Sequence, residues 1–262
     1  MGGFRSLILA ILYTLVMCNE VICSSINSRA AFDEPVLSER TINIKMPGTS
    51  PLEKDTYLCT AIQLTPEKQY IVEFEPSASQ KTAHHMLLYG CGLPGAPLPS
   101  WNCKRGPYTE CKQGAQKILY AWAKDAPPKY LPKDVGFAVG GDSGIRYLVL
   151  QVHYVDTFQT GTKDYSGFIL HTRQHSLPFG GGIYLLWAYS ASIPPETSGI
   201  HVDMACKYNK PETMFAFAFR THAHTLAKVI TGYRIRDGIW TMLGKGDLRL
   251  HRPFIQWKEH LR

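Results

Sequence analysis

Apolar residues in this chain recur at every second position, in short runs broken by glycine and proline, and almost nowhere at helical spacing. "YIVEFE" sets Tyr70, Val72 and Phe74 against Ile71, Glu73 and Glu75. "RYLVLQVHY", at 146–154, is rich in β-branched and aromatic residues, and "GGIYLLWAYS" and "HVDMACKY" read the same way. "TMFAFAFRTHAH" alternates throughout, and "KVITGYRIRDGIWTML" reads as a hairpin turning at Asp237 and Gly238. A period of two places successive side chains on opposite faces of a strand, so these runs predict half-buried strands. Many short strands separated by turn formers predict an all-β chain built from β-sandwiches. Turn formers concentrate at 173–182, which suggests a linker there. The expected organisation is a first sandwich over 27–174 and a second over 175–262, small and short of strands for its class.

With 45% hydrophobic and 19% charged residues the chain is globular rather than disordered. Its net charge of +7 is scattered. No basic stripe forms, so nucleic acid is not an expected partner. At the N-terminus Arg5 precedes an apolar run from Leu7 to Met17. That run suits a signal peptide over residues 1–24 and is too short to span a bilayer, with an uncleaved anchor as the alternative. Cleavage is expected between Met17 and Ser25. The chain is therefore expected in the secretory pathway, in a secretory granule lumen or outside the cell, with no membrane association beyond the signal peptide. Cysteines pair in such a compartment. Beyond the leader stand Cys59, Cys91, Cys103, Cys111 and Cys206. The odd count implies a free thiol, an intermolecular bond or a missing partner.

The histidines fall into three groups. On an extended "FAFAFRTHAH" the phenylalanines share one face, and Arg220, His222 and His224 share the other. Two imidazoles two positions apart can reach one metal ion; the alternative is a polar face in solvent. His153 lies on a strand, sharing a face with Val149 and Gln151. His84 and His85 are adjacent, so a regular strand would point them apart, and joint ligation needs a bend. Imidazole-rich groups without carboxylate partners suit copper or zinc, whereas calcium and magnesium call for oxygen ligands.

In order and spacing, "DTYLC", "HHMLLYGC", "ILYAWAKDAPP", "LPKDVGFAVGG", "LQVHY", "FRTHAH" and "KVITGYRIRDGIWTMLG" resemble the peptidylglycine α-hydroxylating monooxygenases, from about Ile44 to Gly244. The resemblance implies two β-sandwich domains, each carrying a copper ion. It implies hydroxylation of the α-carbon of a C-terminal glycine in peptides, the first step of peptide amidation. Ascorbate is then the reductant and dioxygen the co-substrate, and a separate lyase completes the amide. Carried residue by residue, it implies that His84, His85 and His153 hold the electron-transfer copper. His222 and His224 are two ligands of the oxygen-binding copper, and Arg220 anchors the peptide carboxylate. Tyr57 and Gln151 match positions near the substrate. The resemblance pairs Cys59 with Cys103 and Cys91 with Cys111.

The pattern breaks near the C-terminus. The family's oxygen-binding copper has a methionine ligand downstream of the HxH motif, and the chain ends at Arg262, before that segment. Met204, Met214 and Met242 do not match its position. Cys206 matches a cysteine whose partner lies in the same segment, and Tyr165 stands where the family has a further cysteine. The expectation is a truncated form with a second site lacking its thioether, exposed sheet edges and impaired activity. The alternatives are a copper-binding protein without catalysis and a catecholamine-type copper hydroxylase. Arg220 argues against the latter, whose substrate has no carboxylate. A zinc hydrolase fits less well, because no general-base carboxylate stands at recognisable spacing.

Overall fold

The computed structural model describes residues 40–112, 116–188, 191–223, 226–248 and 255–261, the last segment by its backbone alone. The leader at 1–24 and His224 lie outside the described residues. All described residues belong to one compact unit, Ser38–Arg262.

The chain is all-β. Its strands are β1 (Arg40–Lys45), β2 (Thr56–Gln63), β3 (Gln69–Ser77), β4 (His85–Cys91), β5 (Trp101–Asn102), β6 (Lys117–Ala123), β7 (Lys129–Tyr130) and β8 (Val135–Val139). They continue with β9 (Tyr147–Tyr154), β10 (Gly167–Arg173), β11 (Phe179–Gly180), β12 (Ala216–Phe219), β13 (Val229–Arg236), β14 (Ile239–Asp247) and β15 (Ile255–Leu261). Two larger sheets face each other. One runs β1-β10-β3-β8-β11, with β7 also on β3; the other runs β5-β2-β9-β4-β6.

The alternation of β9 shows how the sequence builds this sandwich. Leu148, Leu150, Val152 and Tyr154 point inward and are fully buried, packed with Met86, Leu88 and Trp122 from the same sheet and Ile71, Phe74, Phe168 and Leu170 from the opposite one. Removing this apolar area from water is the main stabilising term. The remaining β9 residues, Tyr147, Val149, Gln151 and His153, point out of the sandwich. Their face is covered by a second cluster of Tyr89, Ala96, Trp101 and four cysteines. Disulfides Cys59–Cys103 and Cys91–Cys111 tie that covering segment down.

In β3 the strict alternation fails. Ile71 and Phe74 are both in the core, although their spacing of three puts them on opposite faces of a regular strand. The register against β10 slips between His171 and Thr172, so that Glu73 faces His171 while Ile71 faces Thr172. Val72 is the extra residue of a bulge, and it reverses the parity on either side.

Downstream of β11 the strands expected at 181–190 and 201–208 are absent among the described residues. Leu185, Trp187, Ile200 and Val202 are exposed there. A β-favouring composition makes a strand only where a neighbouring strand supplies a run of hydrogen bonds, and among the described residues no strand pairs with these two segments. The long strand expected through the HxH motif is likewise only Ala216–Phe219, paired with β15. The hairpin is as expected: β13 and β14 pair across Asp237 (φ 51°) and Gly238 (φ 76°), the two positive angles of a type I′ turn.

Candidate metal centre

At one end of the five-stranded sheet, neighbouring strands bring distant residues onto one outward face. In register, His153 of β9 lies opposite Tyr57 of β2 on one side and His85 of β4 on the other. His84 precedes β4 in a bend, with its N–H donating to the His153 carbonyl at 2.9 Å. The bend is what lets two successive histidines turn their rings the same way, since within a strand they would diverge.

The three Nδ1 atoms converge. They are 3.2 Å apart for His84–His85, 3.3 Å for His84–His153 and 3.4 Å for His85–His153. A triangle of those sides has a circumradius of about 1.9 Å, close to the nitrogen–metal distance of imidazole sites. A neutral imidazole has one N–H and one lone pair. Three nitrogens in mutual contact therefore bring more lone-pair density together than their protons can balance, and a cation among them relieves it. The donor set fits a soft or borderline ion such as copper or zinc.

Electrostatics favour the neutral, ligating form of His84 and His85. Burial, followed by the charges of His153, His84, His222 and Arg220, drives the His85 pKa down to about 3. Burial and then His153 and Lys124 lower that of His84. Tyr57 stacks on His153, centroids 4.1 Å apart and planes 12° from parallel, and meets His85 edge-on at 5.9 Å. Burial and then Asp55 raise its phenol pKa, keeping it a neutral, rigid wall.

Gln151 lies one row along the same face, only 1% exposed, where its amide donates to Glu110 Oε1 at 2.6 Å. Lys104 approaches the same oxygen at 3.4 Å. Both the glutamine and the glutamate are thus held under the disulfide-linked cover rather than facing solvent. His222 is exposed in an irregular stretch after β12. Arg220 is half-buried, near enough to His85 and to Tyr120 to act on both electrostatically. Burial lowers the Arg220 pKa and lifts that of Tyr120 to about 12. Cys206 is free and exposed.

Two features escaped the sequence reading. Asp55 accepts from His153 Nε2 at 2.6 Å, across 98 residues of sequence. On the other sheet, His171 Nε2 sits 2.9 Å from Glu75 Oε2 and 3.8 Å from Glu73 Oε2, an imidazole facing two carboxylates across neighbouring strands. Neither contact follows from local spacing, because each depends on strand register.

Comparison with known proteins agrees with this geometry. Residues 42–160 match the copper type II ascorbate-dependent monooxygenase N-terminal domain, and 179–257 match the C-terminal domain. The chain is 43% identical over 223 residues to peptidyl-glycine alpha-amidating monooxygenase B of Xenopus laevis, covering 84% of this chain and 25% of that protein. It is 43% identical over 220 residues to the Mus musculus peptidyl-glycine alpha-amidating monooxygenase, covering 83% and 22%. Against human dopamine beta-hydroxylase the identity is 26% over 216 residues, covering 76% and 35%. The chain thus spans about a quarter of the length of the amidating relatives it matches. Two domain matches in sequence order, laid over a face of converging imidazoles, show that the chain belongs to the copper type II ascorbate-dependent monooxygenases.

Proposed function

We propose that this chain is the hydroxylating portion of a peptide-amidating monooxygenase, acting on the α-carbon of a C-terminal glycine. The observation that carries the reading is the triangle of Nδ1 atoms from His84, His85 and His153. Those three residues would hold one copper; His222 and His224 would contribute to a second. Copper held there supplies a one-electron couple between ascorbate and dioxygen.

The protein's own part is positioning. Tyr57 clamps two of the three rings, so little reorganisation accompanies a change of oxidation state at the cluster. Arg220 offers a planar fork to the terminal carboxylate of a peptide, and its partial burial strengthens that grip over what an exposed guanidinium achieves. A carboxylate held there would bring the adjacent glycine α-carbon toward His222, two residues along the chain, and such proximity would lower a barrier. Gln151 contributes to this function by holding the face rigid through Glu110. Two bridges tied across one face support a secretory-pathway setting. Among the described residues no helix is long and apolar enough to cross a membrane. A hydroxyglycine product would pass to a lyase.

A second reading, copper binding without turnover, is favoured by one observation. β12 ends at Phe219, before the HxH motif, and His222 stands exposed in the irregular stretch that follows. Ascorbate-dependent oxygen uptake with a glycine-extended peptide, a phenethylamine and no substrate separates the possibilities. Peptide-dependent uptake, lost in Arg220→Ala, supports amidation; amine-dependent uptake supports the catecholamine-type reaction. Copper bound with no uptake supports the second reading.

A further inference from the structure

Asp55 occupies the left-handed region, φ 53°, immediately before β2. A non-glycine residue there is strained, though Asp tolerates it better than most, and strain that survives in a fold is held by its surroundings. Here the surroundings are specific. The Asp55 N–H donates to the Val155 carbonyl at 3.0 Å, tying the turn to the end of β9. The Thr56 hydroxyl donates to the Glu53 carbonyl at 2.7 Å and closes the turn. The outcome is a carboxylate aimed at the far nitrogen of His153, Oδ1 to Nε2 at 2.6 Å. The side chain of His153 is 9% exposed and that of Asp55 68%.

We infer that Asp55 is a positioning residue that selects the tautomer and sets the donor strength of His153. A carboxylate only accepts, so the Nε2 it faces must carry the proton. The proton on Nε2 leaves Nδ1 bare, and Nδ1 is the atom that points at His84 and His85. Tyr57 fixes the plane of the ring, but stacking is indifferent to which nitrogen holds the proton; the Asp55 carboxylate draws it to Nε2. The anion also pushes electron density into the ring, which favours Cu(II) over Cu(I). Among the described residues, His153 is the only one of the three with a carboxylate on its far nitrogen, so the cluster has one strong donor and two ordinary ones.

The metal part of this inference rests on the copper reading above, and the experiment separates the two. In metal-free protein with 15N-labelled histidine, long-range proton–nitrogen spectra report the His153 tautomer directly. Wild type is expected as the Nε2–H form, Asp55→Ala as a mixture containing Nδ1–H, and Asp55→Glu as substantially wild type. With copper bound, Asp55→Ala is expected to weaken Cu(II) binding at the cluster roughly 10- to 100-fold and to raise its midpoint potential, with Asp55→Glu restoring part of both. An unchanged tautomer and potential in Asp55→Ala, even with a lowered melting temperature, would overturn the inference by reducing Asp55 to a turn residue. A tautomer change as expected in a protein whose wild type binds no copper would uphold the action of Asp55 and overturn the copper reading instead.

Discussion

His84, His85 and His153 are 68 and 69 residues apart along the chain across the two strands, yet their Nδ1 atoms stand within 3.4 Å. Each is needed to complete the triangle. His84→Ala is expected to abolish tight copper binding at this centre with little change in stability, because His84 is exposed; copper stoichiometry and thermal denaturation check the two halves. Tyr57→Leu removes an aromatic stack worth about 0.5–1.5 kcal/mol beyond its area, and should lower the melting temperature while broadening the copper spectrum. The cluster also gives metal-free protein a pH dependence. An ordinary His titrates near 6.5, whereas folded His85 titrates at about 3, so the unfolded chain binds the proton more readily. The resulting stability is complete above about pH 6.5 and falls as pH drops toward 3. A denaturant midpoint lower at pH 5 than at pH 7.5 is expected, and His85→Ala should flatten the difference.

Among the elements, β9 was legible in full. Its alternation assigns Val149, Gln151 and His153 to one face, and the structure has them there. The bend at His84 was legible as a requirement, since adjacent rings cannot converge from a regular strand. The parity reversal at Val72 was not, because a bulge belongs to the pairing of two strands rather than to either sequence. The strands expected at 181–190 and 201–208 misled for a related reason: Leu185 and Trp187 favour extended chain, but no partner strand pairs with them among the described residues. Asp55 was invisible because its contact with His153 exists only once β2 and β9 are side by side. The Cys91–Cys111 bridge closes a loop of 20 residues, and its loss is expected to cost about 3 kcal/mol on the loop-entropy relation. Cys91→Ala with Cys111→Ala should show this as a lower urea midpoint. Loss of copper affinity should accompany it only if the cover over Gln151 and Glu110 loosens the face that carries His153.

At the scale of the molecule, the five-stranded sheet divides its labour. One face is buried in the sandwich and gives stability; the other is stapled, carrying Gln151 in one row and the converging imidazoles in the next. The region from Gly181 to Asp247 is organised differently, with Trp187, Ile239, Trp240 and Met242 exposed. Apolar surface of that extent binds dyes or other chains. The chain is expected to bind an environment-sensitive apolar dye and to sediment in a concentration-dependent way, with Trp187→Ser and Trp240→Ser together reducing both.

The most direct test of the account is a Cu(II) titration followed by electron paramagnetic resonance, comparing wild type with His153→Ala. The account predicts a nitrogen-coordinated copper signal in wild type that is lost in the variant while the circular dichroism of the fold is retained. An identical signal and stoichiometry in both proteins would contradict it.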